Sequence, residues 1–326
     1  MELPFSLVDT ALSSTHIDAI DALRAFFLLA SCTILSVSIL PGSLHSRFIP
    51  YGARTTSTAD SQSSQSSPPA SSDSSPAARA LDYAAALTVP HSYFTQFYIA
   101  SVLASVFWAA QLLCQGAVFQ AFATRISPEH MQQSMSIHQV FLCWALMLIQ
   151  GARRLYECKA FAKPSASRMW FVHWLVGLAF YLAVSVALWI EGAGALLSHK
   201  VILDDLKVTI APSLRTFVCI PLFLIASGIQ HDCHHYLFSL KKYTLPTHPI
   251  FRRIVCPHYT AECVIYLSLA LLGAPKGEVV NKSLLSALVF VVINLGVTAA
   301  NTRHWYMRKF GEESVRERSN MIPWVY

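Results

Sequence analysis

Seven apolar stretches, each bounded by polar or charged residues, constrain this chain more than any other feature of its sequence. They run near Ala25–Leu40, Tyr98–Ala121, Ile137–Ile149, Met169–Ile190, Leu214–Ile229, Cys263–Gly273 and Leu284–Ala299. Backbone polar groups in hydrocarbon must be satisfied within their own segment, so such runs predict α-helices that cross a bilayer core of about 30 Å. Composition agrees: 54% of the residues are hydrophobic and 13% charged, where a soluble domain carries about 25% charge. The expected fold is therefore an all-α integral membrane protein of about seven transmembrane helices in one bundle, forming a single polytopic domain over residues 1–326. The third and sixth runs are short and predict tilted helices or helices extended by semi-polar neighbours.

Asp18, Asp21 and Arg24 precede the first run, which has no basic n-region and no small-residue cleavage site. It reads as a retained signal-anchor helix. Between the first two runs, residues 55–78 are dominated by Ser, Ala, Pro and Thr, too polar to bury and without apolar periodicity. That insertion is expected to be disordered and to carry no site. The eight cysteines are scattered, with no Cys-x-x-Cys pair, and indicate neither a zinc ribbon nor a disulfide framework.

Cations fix the expected orientation. Arg153, Arg154, Lys159, Lys163 and Arg168 follow the third run, and Lys241, Lys242, Arg252 and Arg253 follow the fifth. Arg303, Arg308, Lys309, Arg316 and Arg318 follow the seventh. The opposite connections hold Arg125, Lys200 and Lys207 offset by Asp204 and Asp205, then Lys276 and Lys282. Cytosolic loops are enriched in Lys and Arg, so the C-terminus is placed in the cytosol and the N-terminus in the lumen. The net charge of +6 is dispersed along these run ends, which indicates membrane topology and no nucleic-acid partner.

The densest polar stretches are QHDCHHYLFSLKKY at residues 230–243 and HPIFRRIVCPHYTAE at residues 248–262. Ionisable residues at a membrane edge are costly unless paired or solvated, and they mark functional sites. Gln230 and His234 are four apart and share one helix face; His258 and Glu262 repeat the spacing. Contact with lipid headgroups is the plain alternative for any single member. His231-x-x-His234-His235 matches one histidine box of the membrane di-iron hydroxylases and desaturases, the rival enzyme reading. A di-iron centre needs several boxes, and no second histidine pair at ligand spacing occurs among the rest. No G-x-G-x-x-G or Walker loop is present, so nucleotide binding would fall to guanidiniums for phosphates and aromatic faces for rings.

Taken together, Gln230, LPTHPIF (245–251), CPHYTAE (256–262), HWYMRKF (304–310) and the terminal Arg318-x-x-x-Ile322-Pro323-x-x-Tyr326 resemble the C-terminal region of the steroid 5-alpha-reductases, here residues 212–326. HSYFTQFYIASV (91–102) and RRLYECKAF (153–161) resemble its polyprenol reductase branch. The resemblance covers nearly the whole chain outside the Ser-rich insertion. It implies an NADPH-dependent oxidoreductase of the endoplasmic reticulum membrane. Its reaction would be reduction of the α-isoprene carbon–carbon double bond of a long-chain polyprenyl lipid, for dolichol synthesis and protein glycosylation. It assigns Arg154, Gln230, His234, Tyr243, His258, Glu262, Tyr306 and Arg318 to the cofactor. Thr244 stands where steroid-reducing members place an arginine, which passes phosphate binding to Arg252 or Arg253. The carbonyl-polarising Glu of those members has no clear counterpart; Gln96 is the nearest position, and with Phe97 it is assigned to the substrate. Hydride adds to an alkene conjugated to a carbonyl, so polyprenal is expected to be a better acceptor than polyprenol. The oxygen then needs a proton donor, for which Tyr98, Tyr156 and His91 all remain candidates.

Overall fold

The computed structural model describes residues 17–39, 79, 83, 85–163, 166–199, 202, 205, 213–241, 243–323 and 326. The insertion expected at 55–78 lies outside them, as do Lys200, Asp204, Lys207 and Lys242. Helix α1 spans Ala19–Ser38, its first turn capped by the Asp18 carboxylate, which accepts from the Asp21 N–H at 2.9 Å. A short antiparallel ribbon pairs β1 (Thr88–Pro90) with β2 (Arg168–Trp170). A 3₁₀ turn at His91–Phe94 leads into α2, Thr95–Leu113.

The single run expected over Tyr98–Ala121 is divided here. Gln115 adopts φ 50°, and the Gln111 Oε1 lies so close to Gly116 that a Cβ there would sit 2.3 Å from it. That same Oε1 accepts from the Val118 and Phe119 N–H groups at 3.1 and 3.3 Å, and so opens α3, Ala117–Ala123. After α4 (Pro128–Gln132), a Ser136/Gln139 capping box starts α5 at Ile137. Helix α5 runs to Ala160, eleven residues past the apolar run that predicts it.

Helices α6 (Phe171–Ala187), α7 (Ala193–Ser198), α8 (Leu214–Ser239), α9 (Pro249–Arg253), α10 (Pro257–Leu272) and α11 (Lys282–Phe310) complete the chain. Five segments, at residues 19–38, 91–113, 171–198, 214–239 and 282–310, are long and apolar enough to cross a membrane. The chain is a multi-pass helical membrane protein on that basis. Helix α5, with Arg153, Arg154, Glu157 and Lys159 in its last turns, and α10, with 16 residues, are the two further long helices. At 1.5 Å per residue α10 is about 24 Å long.

The long helices close on one another. α8 packs on α10, α10 on α11 and α11 on α1; α5 packs on α2 and α2 on α6. Contacts of α6 with α11, and of α5 with α8 and α10, join the two rows. One end of this ring is stitched shut. Arg24 Nη2 meets Glu191 Oε1 at 2.9 Å, and Glu191 also accepts from the Ser283 N–H and hydroxyl at 2.7 and 2.6 Å. Asp18 meets His130 Nδ1 at 2.6 Å beside them. Glu191 is buried, and three partners compensate its desolvation. The opposite end carries the β-ribbon, α9 and the C-terminal segment, and it is there that the polar side chains gather.

Candidate active site

Between the helices lies a cavity of about 310 Å³ to which all seven long helices contribute side chains. Ile34 and Val37 of α1, Val176 and Phe180 of α6, and Phe290 and Leu295 of α11 give it an apolar lining, called here the apolar wall, with the polar Thr33, His173, Asn294 and Thr298 on the same helices. Arg154 of α5, Gln230 and His234 of α8, His258 and Glu262 of α10, and Asn301 of α11 make up the charged and amide lining, the polar wall. Phe97 and Tyr98 of α2 line the cavity as well. A lining of both kinds suits an amphiphilic ligand with an apolar chain and a polar reacting group.

The polar wall is organised by Glu157, whose side chain is 1% exposed. Arg153 and Arg154, four and three residues before it on α5, both ion-pair with its carboxylate. From α8, His231 Nδ1 reaches Glu157 Oε1 at 2.7 Å and His234 Nδ1 reaches Oε2 at 2.8 Å. A second lattice fixes the neighbouring amides. Gln150 Nε2 donates to Gln230 Oε1 at 2.9 Å, Arg153 donates to the same oxygen, and Gln230 Nε2 donates to Glu262. Ser227 and Arg153 donate to Gln150 Oε1 at 3.1 and 2.9 Å. The Gln230 amide therefore has one allowed orientation, with its nitrogen toward Glu262.

Arg154 links this lattice to Tyr98. Its Nε and Nη2 donate to the phenol oxygen at 3.2 and 2.9 Å, and the guanidinium carbon lies 4.8 Å from the ring centroid. Both contacts use the oxygen as acceptor, and the Tyr181 side chain is a further hydrogen-bond partner of the Tyr98 hydroxyl. Tyr98 lines the cavity and is 6% exposed. Among the three candidate donors it alone lines the cavity. Tyr156 is 62% exposed, because its place on α5 turns it away from the Arg154 and Glu157 face. His91 lies in the 3₁₀ turn, its ring stacked 5.8 Å from that of Phe94.

The remaining expected residues divide by position. Phe97, Arg154, Gln230, His234, His258 and Glu262 line the cavity. Gln96 instead accepts from Trp174 Nε1 at 2.9 Å and braces α2 against α6. Tyr243, Arg252, Arg253, Tyr306 and Arg318 do not line the cavity; they lie on α9, the end of α11 and the segments around them, called here the shelf. The segment at 253–256 pairs with residues 319 and 320 through backbone bonds of 2.8 to 3.1 Å, and Arg318 Nη1 donates to Pro246 O at 3.0 Å. Tyr243, at φ 66°, lies 6.0 Å from the Trp305 ring, with Lys309 Nζ 4.1 Å above its own. Burial pulls the Arg318 pKa down from the usual arginine value, with Tyr306 and Tyr236 acting against it; a partly desolvated guanidinium of this kind suits a phosphate.

Glu157, Arg153 and Gln150 are organising residues to which the sequence analysis gave no role in the site, although RRLYECKAF contains two of them. Their signal is present: an acid three and four residues after two arginines, inside a helix that is apolar upstream. The histidine box also resolves differently from a metal site. His231 and His234 converge on one carboxylate, but two guanidiniums already occupy that carboxylate, and their charge opposes a metal cation there. His235 turns to the Phe161 ring, 5.6 Å away.

Fold and site together define a helical membrane protein with a cavity of mixed apolar and polar lining between its helices. The sequence pattern of the 3-oxo-5-alpha-steroid 4-dehydrogenase family matches residues 133–326, and the chain belongs to that family, the steroid 5-alpha-reductases. Relatives include polyprenal reductase 1 of Oryza sativa subsp. indica, 29% identical over 79% of this chain and 84% of its own length. The polyprenal reductase of Saccharomyces cerevisiae is 32% identical over 53% of this chain and 60% of its own. That of Xenopus laevis is 26% identical over 73% and 78%.

Proposed function

We propose that this protein is a polyprenal reductase that uses NADPH to saturate the α-isoprene double bond, the step that commits a polyprenyl chain to dolichol. The observation that carries the reading is Tyr98, which lines the cavity and accepts hydrogen bonds from two Arg154 N–H groups. The donor set fits a dinucleotide. Gln230, His234, His258 and Glu262, with Asn301 facing them, offer the hydrogen bonds that a carboxamide and ribose require. Tyr243, Tyr306, Arg252, Arg253 and Arg318 offer aromatic faces and cations on the adjoining shelf. NADPH bound there would supply a hydride from its nicotinamide.

The protein's part is positional and electrostatic. The apolar wall holds the isoprenoid chain and excludes water, the Gln230–Glu262 pair fixes the polar wall, and Tyr98 meets the aldehyde oxygen. As negative charge develops on that oxygen, the phenol donates its hydrogen bond, and Arg154 stabilises the charge left on the phenol. The single bundle spanning residues 1–326 then has seven spans, α5 and α10 included, in the endoplasmic reticulum membrane. Its N-terminus is lumenal and its C-terminus cytosolic, so the shelf opens to cytosolic nucleotide.

Purified protein in detergent, given NADPH and either polyprenal or polyprenol, tests the reading by mass spectrometry. Polyprenal should gain two hydrogens, polyprenol should react far more slowly, and strong chelators should have no effect. Tyr98→Phe should lower turnover by about 10²- to 10⁴-fold with little change in NADPH binding. Turnover that is lost on chelation and restored by ferrous iron would overturn the assignment.

A further inference from the structure

Gly177, on the cavity face of α6, is a position that neither the family resemblance nor the proton-donor argument uses. It lines the cavity, and the edge of the Phe97 ring occupies the place its side chain would take. A Cβ built on Gly177 would lie 2.6 Å from both Cε1 and Cζ of Phe97 and 3.2 Å from Cδ1. Real Cβ contacts do not approach so closely, so any side chain at 177 displaces the ring. Two of the ring's other sides are taken. Tyr181 stacks on it with centroids 6.1 Å apart, and Phe94 meets it edge-on at 5.3 Å. The direction left is the cavity, which Phe97 also lines. Gly177 thus keeps the Phe97 ring recessed into α6 and holds open a volume beside Tyr98, the next residue on α2.

That volume has a specific chemical use. In an isoprenoid enal the carbonyl oxygen is three bonds from the β-carbon, and this β-carbon carries both a methyl group and the rest of the chain. A donor at Tyr98 therefore places a branched carbon close by, and an unbranched enal would need less room at the same point. We infer that Gly177 and Phe97 together form the recess that accepts the β-methyl branch, which makes Gly177 a specificity-determining residue for isoprenoid over straight-chain enals. The inference deepens the reductase reading and rests on it for the placement of the carbonyl at Tyr98.

The test compares the wild type with Gly177→Ala, Phe97→Leu and the double variant. Two substrates with NADPH, geranial (β-methyl) and trans-2-decenal (unbranched), give a ratio of kcat/KM. Two aldehydes with no double bond between the α- and β-carbons, citronellal and decanal, give without cofactor a ratio of affinities from quenching of tryptophan fluorescence, since Trp170 lines the cavity. Gly177→Ala should lower the branched-to-unbranched ratio in both measurements by about tenfold, the scale of one misplaced methyl group in an apolar pocket. Adding Phe97→Leu should restore it, because the smaller side chain returns the volume. The clash falls on the far end of one flexible side chain, so the variant is expected to fold. Equal loss for both members of each pair, or an unchanged ratio in folded Gly177→Ala, would overturn the inference. If the wild type reduces neither enal, the reductase reading fails, and the cofactor-free affinity ratio still decides whether the recess reads branching.

Discussion

Glu157 shows how much one buried carboxylate can organise: two guanidiniums and two imidazoles, from α5 and α8, meet on its two oxygens. Removing it takes the paired carboxylate from two partly buried guanidiniums and leaves Glu262 as their nearby opposite charge. Glu157→Ala is expected to destabilise the protein by about 3–5 kcal/mol, the scale for breaking a buried pair on one side, measured by thermal unfolding in detergent. The histidines should rank by what they touch. His234→Ala, at the cavity wall, should impair turnover most. His231→Ala should be intermediate through Glu157, and His235→Ala, against Phe161, should be mildest. Equal loss at all three would contradict the arrangement. At the far end of the bundle, burial raises the Asp18 pKa, but His130 and the N–H groups of Ser127 and Asp21 lower it further, and the net shift is downward. A depressed folded value contributes stability that is complete above the ordinary aspartate value of about 3.9 and is lost as pH falls through the folded one. Asp18→Asn should therefore flatten the decline of Tm below about pH 4.

Much of the site was legible because polar residues inside apolar surroundings announce themselves. Gln230, His234, His258 and Glu262 stand out at helical spacing, and all four line the cavity. Glu157 did not stand out: RRLYECKAF carried the resemblance and Arg154 a cofactor role, but an acid beside two arginines and a lysine after an apolar run also reads as a cationic connection under the positive-inside rule. Only the α5–α8 contact reveals that its arginines point inward.

At the scale of elements, the apolar runs located the helices but understated their reach. α8 continues ten residues past Ile229 and α11 eleven past Ala299, carrying polar side chains on helical backbone. Hydropathy ends where side chains turn polar, whereas helices end where caps and backbone partners allow. Here Gln230, His234 and Asn301 of these polar turns face the cavity, while Asp232, His304, Arg308 and Lys309 are exposed. The reverse failure occurs at Gln115 and Gly116, where one apolar run hides a sharp break, because left-handed backbone leaves little trace in hydropathy. Helix direction gives a test of orientation. A glycosylation acceptor at Val279, in the exposed connection from α10 to α11, should be modified in the lumen. One at Thr247, beside the shelf, should not. The reverse pattern would separate the shelf from cytosolic nucleotide.

At the scale of the whole molecule, a ring of helices is stitched at one end by Arg24, Glu191 and Ser283 and carries the shelf segments at the other. An amphiphilic cavity lies between. The stitched end joins α1, α11 and the Glu191 segment where no chemistry is assigned, and the polar wall is held by charge and hydrogen bonds where chemistry is. The central claim is that this cavity delivers hydride to the β-carbon of an enal and not to its carbonyl. Polyprenal turned over with NADPH deuterated at the transferred position of nicotinamide C4 tests it directly. The account predicts one deuterium on the β-carbon of the α-isoprene unit, one solvent hydrogen on the α-carbon, and an intact aldehyde. Deuterium on the carbonyl carbon, with the double bond retained, would contradict it.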